Sequence, residues 1–274
     1  MEGMGEFVKV RVRDVVDVIR GFAPESVQES WDNSGLSVGD MNAVVTGVLV
    51  GFDCTPELVA EAVECGANLI VTHHPLIFGG LKRITPDDAV GLAVMMAIRG
   101  GVSIYSAHTS ADKVVGGVSW AMAQRLGLEN VSILDVDNSV SRPDTEYGLG
   151  IIGDFHVPLP VDIAVEKVKS SFGVPCVRSS RLWPGLMVKR VAACGGSGSS
   201  LIAQARSAGA QLYICGDISY HHFFTPEGFV VMDVGHYESE IDIVDILFSL
   251  IQKNFHTFAV RTTRLDYTNP IYYF

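Results

Sequence analysis

The sequence predicts an α/β fold made of two duplicated copies, each a mostly parallel, mixed sheet flanked by helices. Three observations lead there. Short apolar, β-branched runs alternate with segments of helical periodicity, the pattern of strands joined by crossover helices. Part of the second half repeats the first at a constant offset, so that Val45–Thr72 falls on Val188–Cys215 without a gap. Finally, apolar runs end abruptly in histidine, most plainly Leu69-Ile70-Val71-Thr72-His73-His74-Pro75. Strands of an open α/β sheet end this way where their carboxyl ends meet a ligand site.

The elements follow in order. Arg13 to Phe22 carries Val15, Val16, Ile19 and Phe22 at helical spacing, with Pro24 closing the segment. The polar, glycine-rich stretch from Ser30 to Asp40 is a loop in which Trp31, Asp32 and Asn33 either line a pocket or, through Trp31, anchor the loop to the core. Val44 to Gly51 is a buried strand. Thr55, Pro56 and Glu57 then supply an N-cap, a first helical residue and a first-turn acid, and Gly66 stops the helix after Cys65. The strand ending in His73-His74 comes next. A helix spans Pro86 to Arg99, a third strand Val102 to Ala107, and a further helix Val114 to Leu126. The third strand runs into His108-Thr109-Ser110-Ala111-Asp112.

Val131 to Asn138 reads as short and irregular, and Ser141-Arg142-Pro143-Asp144 as a turn-rich candidate boundary. Tyr147 to Phe155 is a strand, Val161 to Phe172 a helix and Arg178 to Pro184 a loop. The repeat then begins. Val45, Val48, Leu58, Ala60, Ala62, Gly66, Ala67 and Leu69 meet the same residue types at Val188, Val191, Leu201, Ala203, Ala205, Gly209, Ala210 and Leu212. Every boundary signal is preserved, which favours duplication. Val102–His108 resembles Phe229–His236 as an apolar strand ending in His, and an acid follows four residues later in both, Asp112 and Glu240. A helix from Ser239 to about Asn254, a strand from His256 to Arg264 and an aromatic tail from Tyr267 to Phe274 complete the chain. The expected division is a first copy over 1–127, joined by 229–274, and a second copy over 128–228.

Composition narrows the function. At 274 residues with 48% hydrophobic and 19% charged, the chain has a full core's worth of apolar material. A net charge of −11 argues against nucleic acid held by a broad basic surface. Met1 to Val12 lacks the apolar core of a signal peptide, and no run has the length of a membrane span. Cys54, Cys65, Cys176, Cys194 and Cys215 are odd in number and form no Cys-x-x-Cys pair. They read as reduced, mostly buried thiols of a cytoplasmic protein.

Three strand ends therefore carry candidate metal ligands: His73 and His74, His108 and Asp112, His236 and Glu240. Imidazole with carboxylate suits Zn, Fe, Mn, Co or Ni, and a carboxylate can bridge two ions. Adjacent side chains of an extended backbone point apart. His73 and His74 thus reach one place only if the backbone turns, or else they serve two centres. The second copy has Gly216-Asp217 where the first has His73-His74, which leaves room there for a substrate. Asp217, Tyr220, His221 and His222 are then pocket-wall candidates or an exposed polar loop. Cys194-Gly195-Gly196-Ser197-Gly198-Ser199-Ser200 can present backbone N–H groups to a phosphate, although tight turns also need glycine.

Taken together, several motifs resemble the Nif-three-like family, whose members are often named GTP cyclohydrolase 1 type 2 homologues. They are Trp31-Asp32-Asn33 with Gly35 and Gly39-Asp40, His73-His74-Pro75, Ala107-His108-Thr109 with Asp112, the Gly195-Gly196-Ser197-Gly198 loop, Gly216-Asp217 with His221, and Gly235-His236-Tyr237 with Glu240. The resemblance covers nearly the whole chain. It implies interlinked, duplicated α/β domains, a dinuclear metal centre and a toroidal homohexamer. By position it implies His73, His74, Asp112, His236 and Glu240 as ligands of two divalent ions, with Glu240 bridging and His108 beside the centre. The stretch from Leu128 to Lys189 is too short for the inserted domain that some members carry. The chemistry implied is a metal-dependent hydrolase whose activated water attacks a nucleotide or related phosphorylated small molecule, with His108 or His221 moving protons. For GTP this is opening of the purine ring with release of formate. The alternative is a non-catalytic metal-binding regulator or chaperone acting through protein partners.

Overall fold

The computed structural model describes residues 9–265 and 269–272. They fall into two compact units, one drawn from 1–111 and 244–274, the other from 112–243.

In the first unit, α1 (Val12–Phe22) buries Val12, Val15, Val16 and Ile19. Strands β1 (Gly35–Val38) and β2 (Gly47–Gly51) follow, then α2 (Pro56–Glu64). Thr55 Oγ1 accepts the Leu58 N–H at the start of α2, and Pro56 occupies its first turn. Strand β3 (Leu69–Thr72) leads to α3 (Ala89–Gly100), where Asp88 Oδ1 accepts the Gly91 N–H. Gly101 ends α3 at φ 64°, the left-handed conformation that glycine adopts without Cβ strain. Strand β4 (Ser103–Ser106) and the short α4 (Thr109–Asp112) lead out of this unit.

The second unit contains α5 (Val118–Leu126), β5 (Glu129–Val136), β6 (Gly148–Pro160), α6 (Val161–Phe172), β7 (Arg178–Ser179) and β8 (Met187–Ala193). It continues through α7 (Ile202–Ser207), β9 (Leu212–Cys215), β10 (Val230–Asp233) and α8 (His236–Glu240). The chain returns through α9 (Asp242–Asn254), and β11 (Ala259–Thr262) adds the last strand of the first sheet.

The strand order is β1-β4-β3-β2-β11 in the first sheet and β5-β6-β8-β9-β10-β7 in the second. The repeat is visible in the register. Val48 pairs with Leu69 and Val50 with Val71, while Val191 pairs with Leu212 and Ala193 with Ile214. Each triplet of parallel strands, β2-β3-β4 and β8-β9-β10, also receives a short antiparallel strand on the same side, β1 and β7. β2, β3, β4, β9 and β10 are buried along their whole length. That is why they read as continuous apolar runs rather than alternating ones.

Several expectations are corrected. Val131 to Asn138 is largely strand: β5 is antiparallel to β6 and half-exposed, so its alternation is weak. Ser141 to Asp144 lies between these two strands inside the second unit and is no boundary. The expected limits at 127 and 228 give way to 111 and 243. Met122, Ala123 and Leu126 of α5 pack with Ile151, Phe155 and Val191, and β10 pairs with β9, so both belong to the second core. Arg178-Ser179 forms a strand where a loop is expected, and the helix expected from Ser239 is two segments, α8 and α9. Of the aromatic tail, Tyr267, Thr268, Tyr273 and Phe274 lie outside the described residues, as do Met1 to Val8 at the other end.

All five cysteines are free; Cys194 and Cys215 are buried and Cys176 is exposed. Burial, with a smaller push from the Asp53 charge, raises the Cys54 thiol to about 12, and burial raises Cys215 to about 12. Neither thiol is a nucleophile at neutral pH. Among the described residues no helix is long and apolar enough to cross a membrane.

Candidate metal centre

β3 and β4 run side by side, with Thr72 paired to Ser106, so the residues that follow emerge together. Thr72 Oγ1 and Ser106 Oγ both donate to the His74 carbonyl, at 2.8 and 3.2 Å, and the His74 N–H donates to the Phe52 carbonyl at 3.1 Å. These bonds turn the chain immediately after β3. The turn resolves the problem of two adjacent imidazoles: the His73 and His74 ring centroids lie 4.9 Å apart, and each is 5.3 Å from His108. One donor atom from each ring lies within 4.8 Å of the others, a group able to hold a metal ion. His73 is fully buried, and the His74 and His108 side chains are only 14% and 11% exposed.

Each ring is aimed by its other nitrogen. His74 Nδ1 meets Asp53 Oδ1 at 2.7 Å, and His108 Nδ1 meets Asp32 Oδ1 at 2.7 Å. His73 Nδ1 meets the Ala107 carbonyl at 3.0 Å. An Nδ1 facing an oxygen acceptor carries the ring proton, which leaves the lone pair on Nε2. This is the outer-shell arrangement that orients metal-binding histidines.

Asp32, expected to line a pocket, is buried and saturated instead. Besides His108 it accepts from the Asn33 N–H, Ser34 Oγ, the Thr109 N–H and Thr109 Oγ1. Burial pushes its carboxyl up. The His108 and Thr109 bonds outweigh that and hold it well below the usual carboxylate range. Asn33 Nδ2 donates to the Ile77 carbonyl at 2.6 Å, tying its loop to the segment after His74. Trp31 is exposed, and its ring stands edge-on to His108 at 5.9 Å.

In the second unit, His236 opens α8 and Glu240 lies one turn later, with Nε2 and Oε2 3.0 Å apart. Two donors of one metal ion stand about 3 Å apart when each bond is about 2 Å. Glu240 is 4% exposed. His236 Nδ1 meets Asp217 Oδ2 at 2.8 Å, the same support that Asp53 and Asp32 give. Asp217 thus positions a ring; the room expected for a substrate beside it is filled, because a Cβ at Gly216 would meet His236 Cα at 2.7 Å. Asp112 ends α4.

The glycine-rich loop has a packing reason. A Cβ at Gly196 would meet Glu240 Oε1 at 2.2 Å and His236 Cε1 at 3.2 Å. Its glycine amides are already used: Gly195 N–H donates to Ser119 Oγ, Gly196 to Ser239 Oγ and Gly198 to the Gly196 carbonyl. Of the two readings of this loop, a phosphate site or a tight turn, these bonds and the close packing favour the turn. His221 lies exposed in a one-turn helix, its ring against Tyr220.

Sequence reasoning overlooked Asp53. Its signal was present, since Asp53 lies just beyond the end of β2 as the histidines lie just beyond β3 and β4.

The family model for Duf34/NIF3 (NGG1p interacting factor 3) matches residues 10–270. The chain belongs to the NIF3 family. A Clostridium perfringens relative named GTP cyclohydrolase 1 type 2 homolog is 35% identical over 84% of this chain and 87% of its own length. A Helicobacter pylori relative named GTP cyclohydrolase 1 type 2 is 30% identical, covering 95% of this chain and 98% of its own. The crystal structure of Staphylococcus aureus protein SA1388 superposes with a TM-score of 0.85 at 28% identity, covering 97% of this chain and 99% of that one. The two mixed sheets flanked by helices are the NIF3 fold.

Proposed function

We propose that this NIF3 member is a metal-dependent hydrolase with a dinuclear centre. Two divalent ions would be held by His73, His74, Asp112, His236 and Glu240, and the substrate is a nucleotide or related phosphorylated small molecule. The observation that carries this reading is the repeated support of the imidazoles. His73, His74, His108 and His236 each have Nδ1 held by an oxygen acceptor, and in three of the four it is a carboxylate. The donor set of imidazole and carboxylate without thiolate fits a catalytic rather than a structural ion. The names of the Clostridium perfringens and Helicobacter pylori relatives support the nucleotide class.

Bound ions of this kind lower the pKa of water and polarise the substrate. The chain's own part is to orient and to move protons. Asp53, Asp32 and Asp217 fix the ring directions, and His108, which the ligand set leaves out, is placed to accept or return a proton through Nε2. A non-catalytic role through protein partners competes with this reading, and the family's description as an interacting factor favours it.

Metal analysis of the purified protein, joined to a turnover screen of GTP and phosphoesters, separates the two. Wild type is expected to carry metal and to turn over a substrate; Glu240→Gln and Asp112→Asn are expected to lose both metal and turnover. Turnover that survives removal of both ions refutes the hydrolase. Six copies in a ring are expected to elute far above 29.5 kDa in gel filtration, and a monomer counts against that assembly.

A further inference from the structure

The loop that follows His74 carries features that metal ligation does not require. Phe78 is 54% exposed, and its ring stands edge-on to His108 at 5.4 Å and lies 6.5 Å from His74. Trp31, from a separate segment of the same unit, is 62% exposed and edge-on to the same His108 ring. Two large aromatic side chains are thus left largely in water while standing near-perpendicular to one imidazole. A burial role does not explain this, because more than half of each surface is never removed from solvent. Gly79 and Gly80 follow Phe78 in open space, with nothing within 4 Å of where a Cβ would be. Beyond Leu81, Lys82 and Arg83 are exposed, and no ion pair of either is seen among the described residues. Uncommitted cations stand out in a chain of net charge −11.

Resting on the hydrolase reading above, we propose that Trp31 and Phe78 form a stacking platform for the flat heteroaromatic ring of the substrate, while Lys82 and Arg83 meet its phosphate. The occupant is a nucleotide. An aromatic face accepts any planar base, and such stacking is largely indifferent to which base it is. The two cations of the same loop complement an anion, which favours a nucleotide over the uncharged nucleoside. The edge-on contacts to His108 tie the platform to the imidazole that the hydrolase reading uses to move protons.

The test is equilibrium binding to the full-length protein, which needs no turnover. Guanosine 5′-monophosphate, adenosine 5′-monophosphate, ribose 5-phosphate and guanosine serve as probes, titrated by calorimetry. The two nucleotides are expected to bind with similar affinity and at least about tenfold more tightly than ribose 5-phosphate, the usual scale of base–aromatic stacking. Phe78→Ala and Trp31→Ala are each expected to weaken both nucleotides about tenfold or more and to leave ribose 5-phosphate unchanged. A merely structural role would not produce that split. Trp31→Phe, which keeps a stacking face, is expected to restore most of the affinity. A Lys82→Ala, Arg83→Ala double variant is expected to weaken nucleotides and ribose 5-phosphate together and to spare guanosine.

Nucleotide affinity within twofold of wild type in both alanine variants overturns the platform, as does failure of either nucleotide to bind at millimolar concentration. The two readings fail separately. Nucleotide binding without turnover sinks the hydrolase alone. Turnover indifferent to Phe78 and Trp31 sinks the platform alone.

Discussion

The two units share one ladder and finish it differently. Val48 pairs with Leu69 in the first and Val191 with Leu212 in the second. Yet β3 runs into His73-His74, and β9 into Gly216-Asp217. In the first unit the end of the strand supplies the imidazoles, and carboxylates from elsewhere, Asp53 and Asp32, hold them. In the second unit the end of the strand supplies the carboxylate, and the imidazole, His236, comes from the next strand's end. Even there the match is inexact. His108 is two residues past β4 and His236 three past β10, the extra residue being Gly235 at φ 97°. Backbone pairing and a packed core hold a register in place. The residues just past a strand are under neither constraint, so duplicated positions are able to exchange roles.

Four experiments would break or sharpen that comparison. The largest effect is expected at Gly196, which matches Asp53 at the repeat offset. Its φ of +60° and the Glu240 carboxylate at 2.2 Å from a built Cβ leave no room for a side chain. Gly196→Ala is expected to destabilise by about 1–3 kcal/mol and to lose metal. An unchanged denaturant midpoint would show that the loop relaxes freely and that the two strand ends tolerate a side chain alike.

Next come the supporting carboxylates. Asp53→Asn and Asp217→Asn are each expected to weaken metal binding about 10–100-fold, read by titration with Zn. A loss in one variant only would mean that the two units do not support their rings alike.

A third contrast lies at the outer side of β2. Glu61, 7% exposed, accepts from Thr263 Oγ1 at 2.5 Å and from the Arg264 N–H at 3.0 Å, clamping the end of β11. The second sheet instead has the antiparallel β6 beside β8. Burial pushes the Glu61 carboxyl up, but Thr263 and Arg264 hold it below the ordinary carboxylate value. Its stabilisation is therefore complete above the unfolded value of 4.5 and declines as pH falls through the lower native value. Glu61→Gln is expected to cost about 1–2 kcal/mol at neutral pH, with the difference from wild type shrinking in acid. A difference that stays constant from neutral pH into strong acid would rule out the charge as its source.

The smallest effect is at the helix starts. Thr55 caps α2, whereas Gly198, before the helical turn leading into α7, offers no side-chain bond, and Ser199 Oγ makes none either. Thr55→Ala is expected to lower stability by about 1 kcal/mol, and Ser199→Ala by less than about 0.5. Equal losses would mean that the caps are interchangeable.

Most of the sheet was legible because its strands are buried on both faces and bounded by cap and glycine signals, as at Thr55-Pro56 and Gly66. β5 was not, because a half-exposed antiparallel strand leaves only a faint alternation. The candidate ligands were legible as histidines and acids just past the strand ends. Their supports were less so: Asp53 and Asp32 act across 21 and 76 residues of sequence, and no local spacing shows that reach. Gly216 reads as space in the sequence, whereas it is the point where the backbone of His236 comes close. A glycine in sequence does not say which of these it is.

β11 has a consequence for the order in which the molecule is made. It pairs with β2 through Ala259 to Thr262, so the first sheet waits for residues near the end of the chain. A ribosome completes β4 roughly 150 residues before it reaches β11, on the order of 10 s at usual rates of synthesis. Throughout that interval β2, apolar on both faces, presents a bare edge open to pairing with any other chain. The strands of the second sheet, by contrast, leave the ribosome in one continuous stretch and can close first. The half that is synthesised first is thus the half that is finished last, and it is there that a nascent chain needs a chaperone's cover.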